Sequence, residues 1–137
     1  MTPSIYRALI ERTKKHEGFR ATPYLDSVGV GTIGYGTTHI TEQDAAYLLE
    51  RYMTECVALV EGYLINEGIS LDDFRISILA EMAYQLGFKG LLGFRKMFKA
   101  LKSWDYVEAA RQMRDSKWYR QTPARCADLA IKMECGG

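Results

Sequence analysis

The chain has 137 residues, of which 47% are apolar and 26% charged, enough to bury a core without disulfide or metal staples. Its net charge of +1 lacks the strongly basic field of a dedicated nucleic-acid binder, so no nucleic-acid partner is expected, and an acidic substrate stays open. Three cysteines (Cys56, Cys126, Cys135) without a C-x-x-C pair, and two histidines (His16, His39), argue against a disulfide framework and a zinc site. No metal or other cofactor is expected, and Cys56 and Cys126 read as small, reduced core residues.

The opening MTPSIYRALIERTKKHEG does not read as a secretory signal, because charges interrupt every apolar run. No segment approaches the ~20 apolar residues that span a bilayer. The expectation is a monomer made in a cytoplasm, without membrane insertion. Thr2 and Pro3 start a helix, and Ile5, Leu9 and Thr13 follow at helical spacing. From Gly18 to Gly36, glycines punctuate short β-prone pieces at Pro23-Tyr24-Leu25, Thr32-Ile33 and Tyr35. This predicts a small hairpin with its turn near Asp26 to Gly29.

Thr41 with Asp44 resembles a capping box. Apolar residues recur helically from Ala45 to Leu64, predicting a helix of roughly 24 residues and ~36 Å. Asn66 to Gly68 break it. Ser70 is expected to cap a helix ending at Gly87, and further helices are expected near 90–101, 103–115 and 123–134. Ser103 is a candidate cap, and Thr122-Pro123 opens the last helix. The predicted fold class is α+β, mainly helical. It is read as one domain over 1–137: an N-terminal lobe of about 1–40, a connecting helix of about 41–65 and a C-terminal lobe of about 66–137.

Gly29-Val-Gly31-Thr-Ile-Gly34 matches G-x-G-x-x-G, a dinucleotide fingerprint. That reading needs a helix opening on the glycines, and no helix signal comes before Thr41. The glycines instead suit tight turns and close approach to the backbone.

Glu17 extends the stripe of Leu9 and Thr13 and is expected to point inward, where burial would favour its protonated form. A general acid at neutral pH needs that. Asp26, where strand gives way to turn, is expected to be wetter and ionised. Thr32, on the return strand, is placed to face Asp26 and hold a water beside it. Two carboxyls with divergent settings suit glycosidic cleavage. Singly, each has a plainer reading: a turn aspartate, a solvated glutamate, a β-prone threonine.

Together, HEGFR-x-x-x-Y-x-D-x-x-G-x-x-TIGYG resembles the catalytic signature of the phage-type lysozymes, the muramidase family that includes T4 phage lysozyme. Glu17, Asp26 and Thr32 occupy its Glu, Asp and Thr positions without an insertion. The resemblance recurs at Tyr84-Gln85-Leu86-Gly87, at Gly93-Phe94, and from Ser116 to Arg125. It implies a lysozyme-like fold with a small β-hairpin lobe, a long helix and a helical lobe. It also implies Glu17 as general acid, Asp26 as base or electrostatic stabiliser, and Thr32 as positioner of the attacking water. Arg125 matches the arginine that pairs with the catalytic glutamate, which would lower the acid's pKa and oppose burial. Gln85 and Tyr84 match substrate-binding positions beside the cleft. The plainer reading of Arg125 is that it simply joins the lobes, and Trp118 and Phe94 read as core.

The chain departs from the T4 relative after TIGYG. It passes through Thr37-Thr38-His39-Ile40 directly into the long helix, where the relative has a longer segment, and Thr37 stands in place of a histidine. Glu81, one helical turn before Gln85, replaces a neutral residue and either tunes a nearby acid or faces solvent.

The implied function is that of an endolysin-type muramidase. It would hydrolyse the β-1,4 bond between N-acetylmuramic acid and N-acetylglucosamine in peptidoglycan, with inversion, after holin-dependent release from the host cytoplasm. A virion-associated lysozyme is the biological alternative. A lytic transglycosylase and an inactive wall-binding module are the chemical ones. The Asp26 and Thr32 pair argues against the transglycosylase, which has no need to position a water.

Overall fold

In the computed structural model, which describes residues 1–137, helix α1 covers Pro3–Glu17. It begins as the sequence predicts: Thr2 Oγ1 accepts the Ile5 N–H at 3.3 Å, with Pro3 in the first turn. Lys14 and Lys15 lie in its last turn, where positive charge complements the helix dipole. Strands β1 (Arg20–Leu25) and β2 (Gly31–Gly34) pair antiparallel, with Tyr24 opposite Thr32 and Leu25 opposite Gly31. Their connection is tied by Asp26 N–H to Val30 O at 2.9 Å and Gly29 N–H to Asp26 O at 3.1 Å. Tyr35 lies outside the strands, in a turn closed by paired backbone bonds between Ile33 and Thr37.

Helix α2 covers Glu42–Glu67, 26 residues. Its capping box is reciprocal: Thr41 N–H donates to Asp44 Oδ2 at 3.0 Å, and Asp44 N–H to Thr41 Oγ1 at 3.1 Å. These bonds hold the Asp44 carboxyl below the usual carboxylate range. The helix ends inside the predicted Asn66 to Gly68 break. The chain packs as two compact units, Met1–Tyr47 and Leu48–Gly137, divided within α2. In the first, Thr32 is the single buried residue.

The second unit is helical throughout: α3 (Asp73–Leu86), α4 (Phe88–Leu92), α5 (Arg95–Lys102), α6 (Tyr106–Arg114), α7 (Lys117–Gln121) and α8 (Pro123–Cys135). The mainly helical α+β class is thus the one predicted. Two caps differ. Asp72, not Ser70, caps α3 and accepts the Arg75 N–H at 3.1 Å, while the Ser70 carbonyl accepts Trp104 Nε1–H at 2.9 Å. Asp105, not Ser103, caps α6 and accepts the Glu108 N–H at 3.1 Å; Ser103 ends α5 instead. In both places a carboxylate closer to the helix outcompetes a hydroxyl. The helix expected over 90–101 is split between α4 and α5 at Gly93 and Phe94. The short α7, capped by Ser116, was not predicted.

The core of this unit gathers Val60 and Leu64 from α2, Leu79 and Met82 from α3, Met97 and Leu101 from α5, and Met113 from α6. Cys126, Leu129 and Met133 from α8 complete it. Burying each large side chain contributes about 1.5–3 kcal/mol. Trp118 is buried and meets Phe94 edge-on at 6.1 Å, the core role predicted for both. Arg75 ties α3 to the end of α8: its Nε–H donates to Met133 O at 2.7 Å and an Nη2–H to Glu134 O at 3.1 Å. Its guanidinium stacks on Tyr106, 3.5 Å from the ring centroid. No helix is long and apolar enough to cross a membrane.

Candidate active site

Glu17, Asp26 and Thr32 all come from the first unit, supplied by the end of α1, the hairpin turn and β2. Glu17 is the last residue of α1 and is exposed, which corrects the expectation that it points inward. The helical stripe stops with the helix at Gly18, so there is no further turn to turn the side chain toward an interior. Its carboxyl group instead lies against Gly36. A β-carbon placed on that glycine would stand 3.0 Å from the Glu17 carboxyl carbon.

The arrangement around that contact is local and specific. Phe19 packs on Tyr35 with ring centroids 5.5 Å apart, and Lys14 Nζ sits 5.8 Å from the Tyr35 ring centroid. The end of α1 thereby meets the turn that carries Gly36. Sequence reasoning counted Gly36 among the glycines that punctuate the β-prone pieces and gave the close-approach reading only to Gly29, Gly31 and Gly34. That Gly36 is approached, and by the carboxyl of Glu17, was not legible there.

Asp26 is half-buried at the end of β1. Its Oδ1 accepts the Val28 N–H at 2.9 Å and the Val30 N–H at 2.8 Å. One carboxylate oxygen therefore builds the turn, while Oδ2 has no hydrogen bond from the protein. The turn reading and the catalytic reading fall on different atoms of one side chain.

Thr32 is 6% exposed. It stands opposite Tyr24 rather than Asp26, and its hydroxyl donates to the Tyr24 carbonyl at 3.4 Å. Residues opposite one another point to the same face of the hairpin. Asp26 lies two positions beyond Tyr24, so Thr32 is its diagonal neighbour. The long hydroxyl bond leaves the oxygen's acceptor capacity in place.

The other predicted residues lie in the second unit. Arg125 on α8 pairs with Glu81 on α3, with Nε to Oε1 at 3.1 Å and Nη2 to Oε1 at 2.9 Å. Of the two readings of Glu81, the side chain takes neither in simple form: it holds a guanidinium. Gln85 is clamped at both ends of its amide. Trp118 Nε1–H donates to Gln85 Oε1 at 3.0 Å, and Gln85 Nε2–H donates to Thr122 Oγ1 at 3.2 Å. The Thr122 hydroxyl in turn reaches the Trp118 carbonyl at 3.3 Å. Tyr84, the preceding residue, is exposed. A separate cavity of about 740 Å³ lies among α4, α5, α6 and α7, lined by Phe94, Arg95, Lys96, Gln112, Lys117 and Trp118 among others.

The phage lysozyme family profile matches residues 14–131. Probable T4-type lysozyme 1 of Dictyostelium discoideum is 30% identical, over 90% of this chain and 91% of that protein. Peptidoglycan hydrolase gp36 of Pseudomonas phage phiKMV is 33% identical over 85% of this chain, which spans only 14% of gp36. The pre-baseplate central spike protein Gp5 of Enterobacteria phage T4 is 24% identical over 90% of this chain, which spans 27% of Gp5. The profile match over most of the length, with a relative 30% identical across nearly all of both chains, shows that the chain belongs to the phage lysozyme family.

Proposed function

We propose that this chain is a muramidase that hydrolyses the β-1,4 bond between N-acetylmuramic acid and N-acetylglucosamine in bacterial peptidoglycan. Glu17 gives its proton to the glycosidic oxygen as the bond to the anomeric carbon breaks. Asp26 acts from the other face through Oδ2 and takes the proton of the attacking water, which Thr32 helps to position. Water supplies the new hydroxyl, the anomeric centre inverts, and Glu17 recovers its proton from solvent. The resemblance assigns Arg125 to support of the catalytic acid, although its guanidinium here is held by Glu81, and assigns Tyr84 and Gln85 to sugar binding. The clamp on Gln85 fits a residue whose amide must hold one orientation.

The observation that carries this reading is the division of labour at Asp26. Its Oδ1 is spent on two backbone N–H groups and its Oδ2 is left unengaged. A turn aspartate needs one oxygen; a catalytic one needs the other. Inversion calls for a carboxyl separation of roughly 6.5–9.5 Å, which leaves room for water.

The test is mass spectrometry of digested peptidoglycan, with a Glu17→Gln protein as control. Fragments ending in reducing N-acetylmuramic acid, absent with the variant, are expected. Anhydro-muramic ends would make the chain a lytic transglycosylase, and no cleavage by folded protein would make it a wall-binding module.

The biological role proposed is lysis of the host wall after holin-dependent release. Virion association is the second reading. It is favoured by the match to short portions of gp36 and of the central spike protein Gp5, where a domain like this one belongs to a much longer phage protein.

A further inference from the structure

We propose that Gly36 is a positioning residue for the Glu17 carboxyl group, an inference that rests on Glu17 being the catalytic acid. Glu17 lies at the last position of α1, where the helix no longer constrains the side chain, and it is exposed. Something other than core packing has to set its orientation. The contact available is the backbone at Gly36. A β-carbon there would fall 3.0 Å from the Glu17 carboxyl carbon and closer still to Oε2, where no side chain can stand. The missing side chain is thus the seat of the carboxyl group.

The seat is itself fixed. Ile33 N–H donates to Thr37 O at 2.9 Å and Thr37 N–H to Ile33 O at 3.0 Å, closing the turn that contains Gly36. Tyr35, beside it, is held from the α1 side by Phe19 and Lys14. A carboxyl group laid on a closed turn is restricted in a way that a free helix-end glutamate is not. Misplacement of a reacting group by about 1 Å can cost about 100-fold in rate.

The same turn supplies its own control. Gly34 has φ +68° and Gly36 φ +80°, so a side chain strains the backbone at either position. A β-carbon at Gly34 meets nothing within 4 Å; at Gly36 it meets Glu17. Backbone strain is shared, and the carboxyl contact belongs to Gly36 alone.

The experiment compares Gly36→Ala, Gly34→Ala and Glu17→Gln at a temperature where each is shown by circular dichroism to be folded. The kcat and KM on soluble peptidoglycan fragments are measured separately. The expected result is a kcat at least about 10-fold lower for Gly36→Ala than for Gly34→Ala, with KM changed by less than about threefold. Equal kcat values for the two alanine variants, with Glu17→Gln inactive, would overturn the positioning role and leave the catalytic reading standing. Activity retained by Glu17→Gln would overturn that reading and this inference with it. If Gly36→Ala does not fold, Gly36→Asn and Gly34→Asn replace the pair. Asparagine tolerates positive φ while bringing the same β-carbon.

Discussion

Arg125 on α8 and Glu81 on α3 form an ion pair at 2.9 Å, each side chain about 40% exposed. A pair so accessible is worth between zero and about 1 kcal/mol, because solvent screens it. A purely structural Arg125 therefore has little to contribute, and loss of it should scarcely move the melting temperature. We expect Arg125→Ala to lower stability by less than about 1 kcal/mol but kcat by about 10-fold or more. Paired thermal melts and turnover assays check this. Activity per folded molecule that matches the parent protein would reduce Arg125 to a surface link between two helices.

Asp26 should separate its two jobs under mutation. Asp26→Asn keeps an amide oxygen for the Val28 and Val30 N–H groups but loses the charge. Stability should change by less than about 1 kcal/mol while kcat falls by at least about 100-fold. Asp26→Ala should lose as much activity and a further 1–2 kcal/mol, roughly, because two turn donors are orphaned. Denaturant titration beside the assay distinguishes the pair.

Thr32 tests the water-positioning role. Thr32→Ser keeps the hydroxyl and should retain activity within about 10-fold; Thr32→Val keeps the branched shape and should lose about 100-fold or more. If valine and serine behave alike, the buried hydroxyl serves only its bond to the Tyr24 carbonyl.

Cys126 is fully buried, its Sγ–H donating to the Met113 carbonyl at 3.2 Å, and burial pushes its thiol pKa up to about 11. Cys135 is exposed. Iodoacetamide at pH 8 should label Cys135 at least about 100-fold faster than Cys126, read by peptide mass mapping. The raised folded-state value means the unfolded chain loses this proton first. Its contribution to stability is complete below the ordinary thiol value of 9.0 and is lost as pH rises from there toward about 11.

Arg75 joins α3 to the last turn of α8 through two carbonyls, with its ion pair to Asp72 and its stack on Tyr106. Its side chain is only 12% exposed. Arg75→Ala should cost about 2–4 kcal/mol, since charged hydrogen bonds to carbonyls are lost and C-terminal acceptors are left unpaired. Unchanged urea midpoints would show that water replaces these bonds freely.

What the sequence discloses is uneven for physical reasons. Caps with a hydroxyl and a partner three residues on, such as Thr41 and Asp44, were legible because the interaction is local. Ser70 and Ser103 misled because a nearby aspartate offers a stronger acceptor. The helical stripe through Leu9 and Thr13 carried Glu17 along by extrapolation, but a stripe says nothing once the helix has ended. Register set the position of Thr32: a loop from Asp26 to Val30 puts Tyr24 opposite it, and spacing alone does not choose that pairing. The pairs joining Glu81 to Arg125 and Trp118 to Gln85 span 44 and 33 residues, a distance over which local rules carry no signal.

The near absence of buried side chains in Met1–Tyr47 has a consequence for how the protein fails. The residues proposed to do the chemistry are held by turn and hairpin hydrogen bonds, one exposed aromatic contact and a glycine seat, not by a packed core. Regions with few buried apolar contacts open at lower free energy than the global transition. Heating should therefore disable the catalyst while the helices of Leu48–Gly137 are still folded, and amide protons of the hairpin should exchange well before those of α3 and α8. Loss of activity on warming would report local melting at the hairpin, and its onset would lie below the temperature at which the circular dichroism signal collapses.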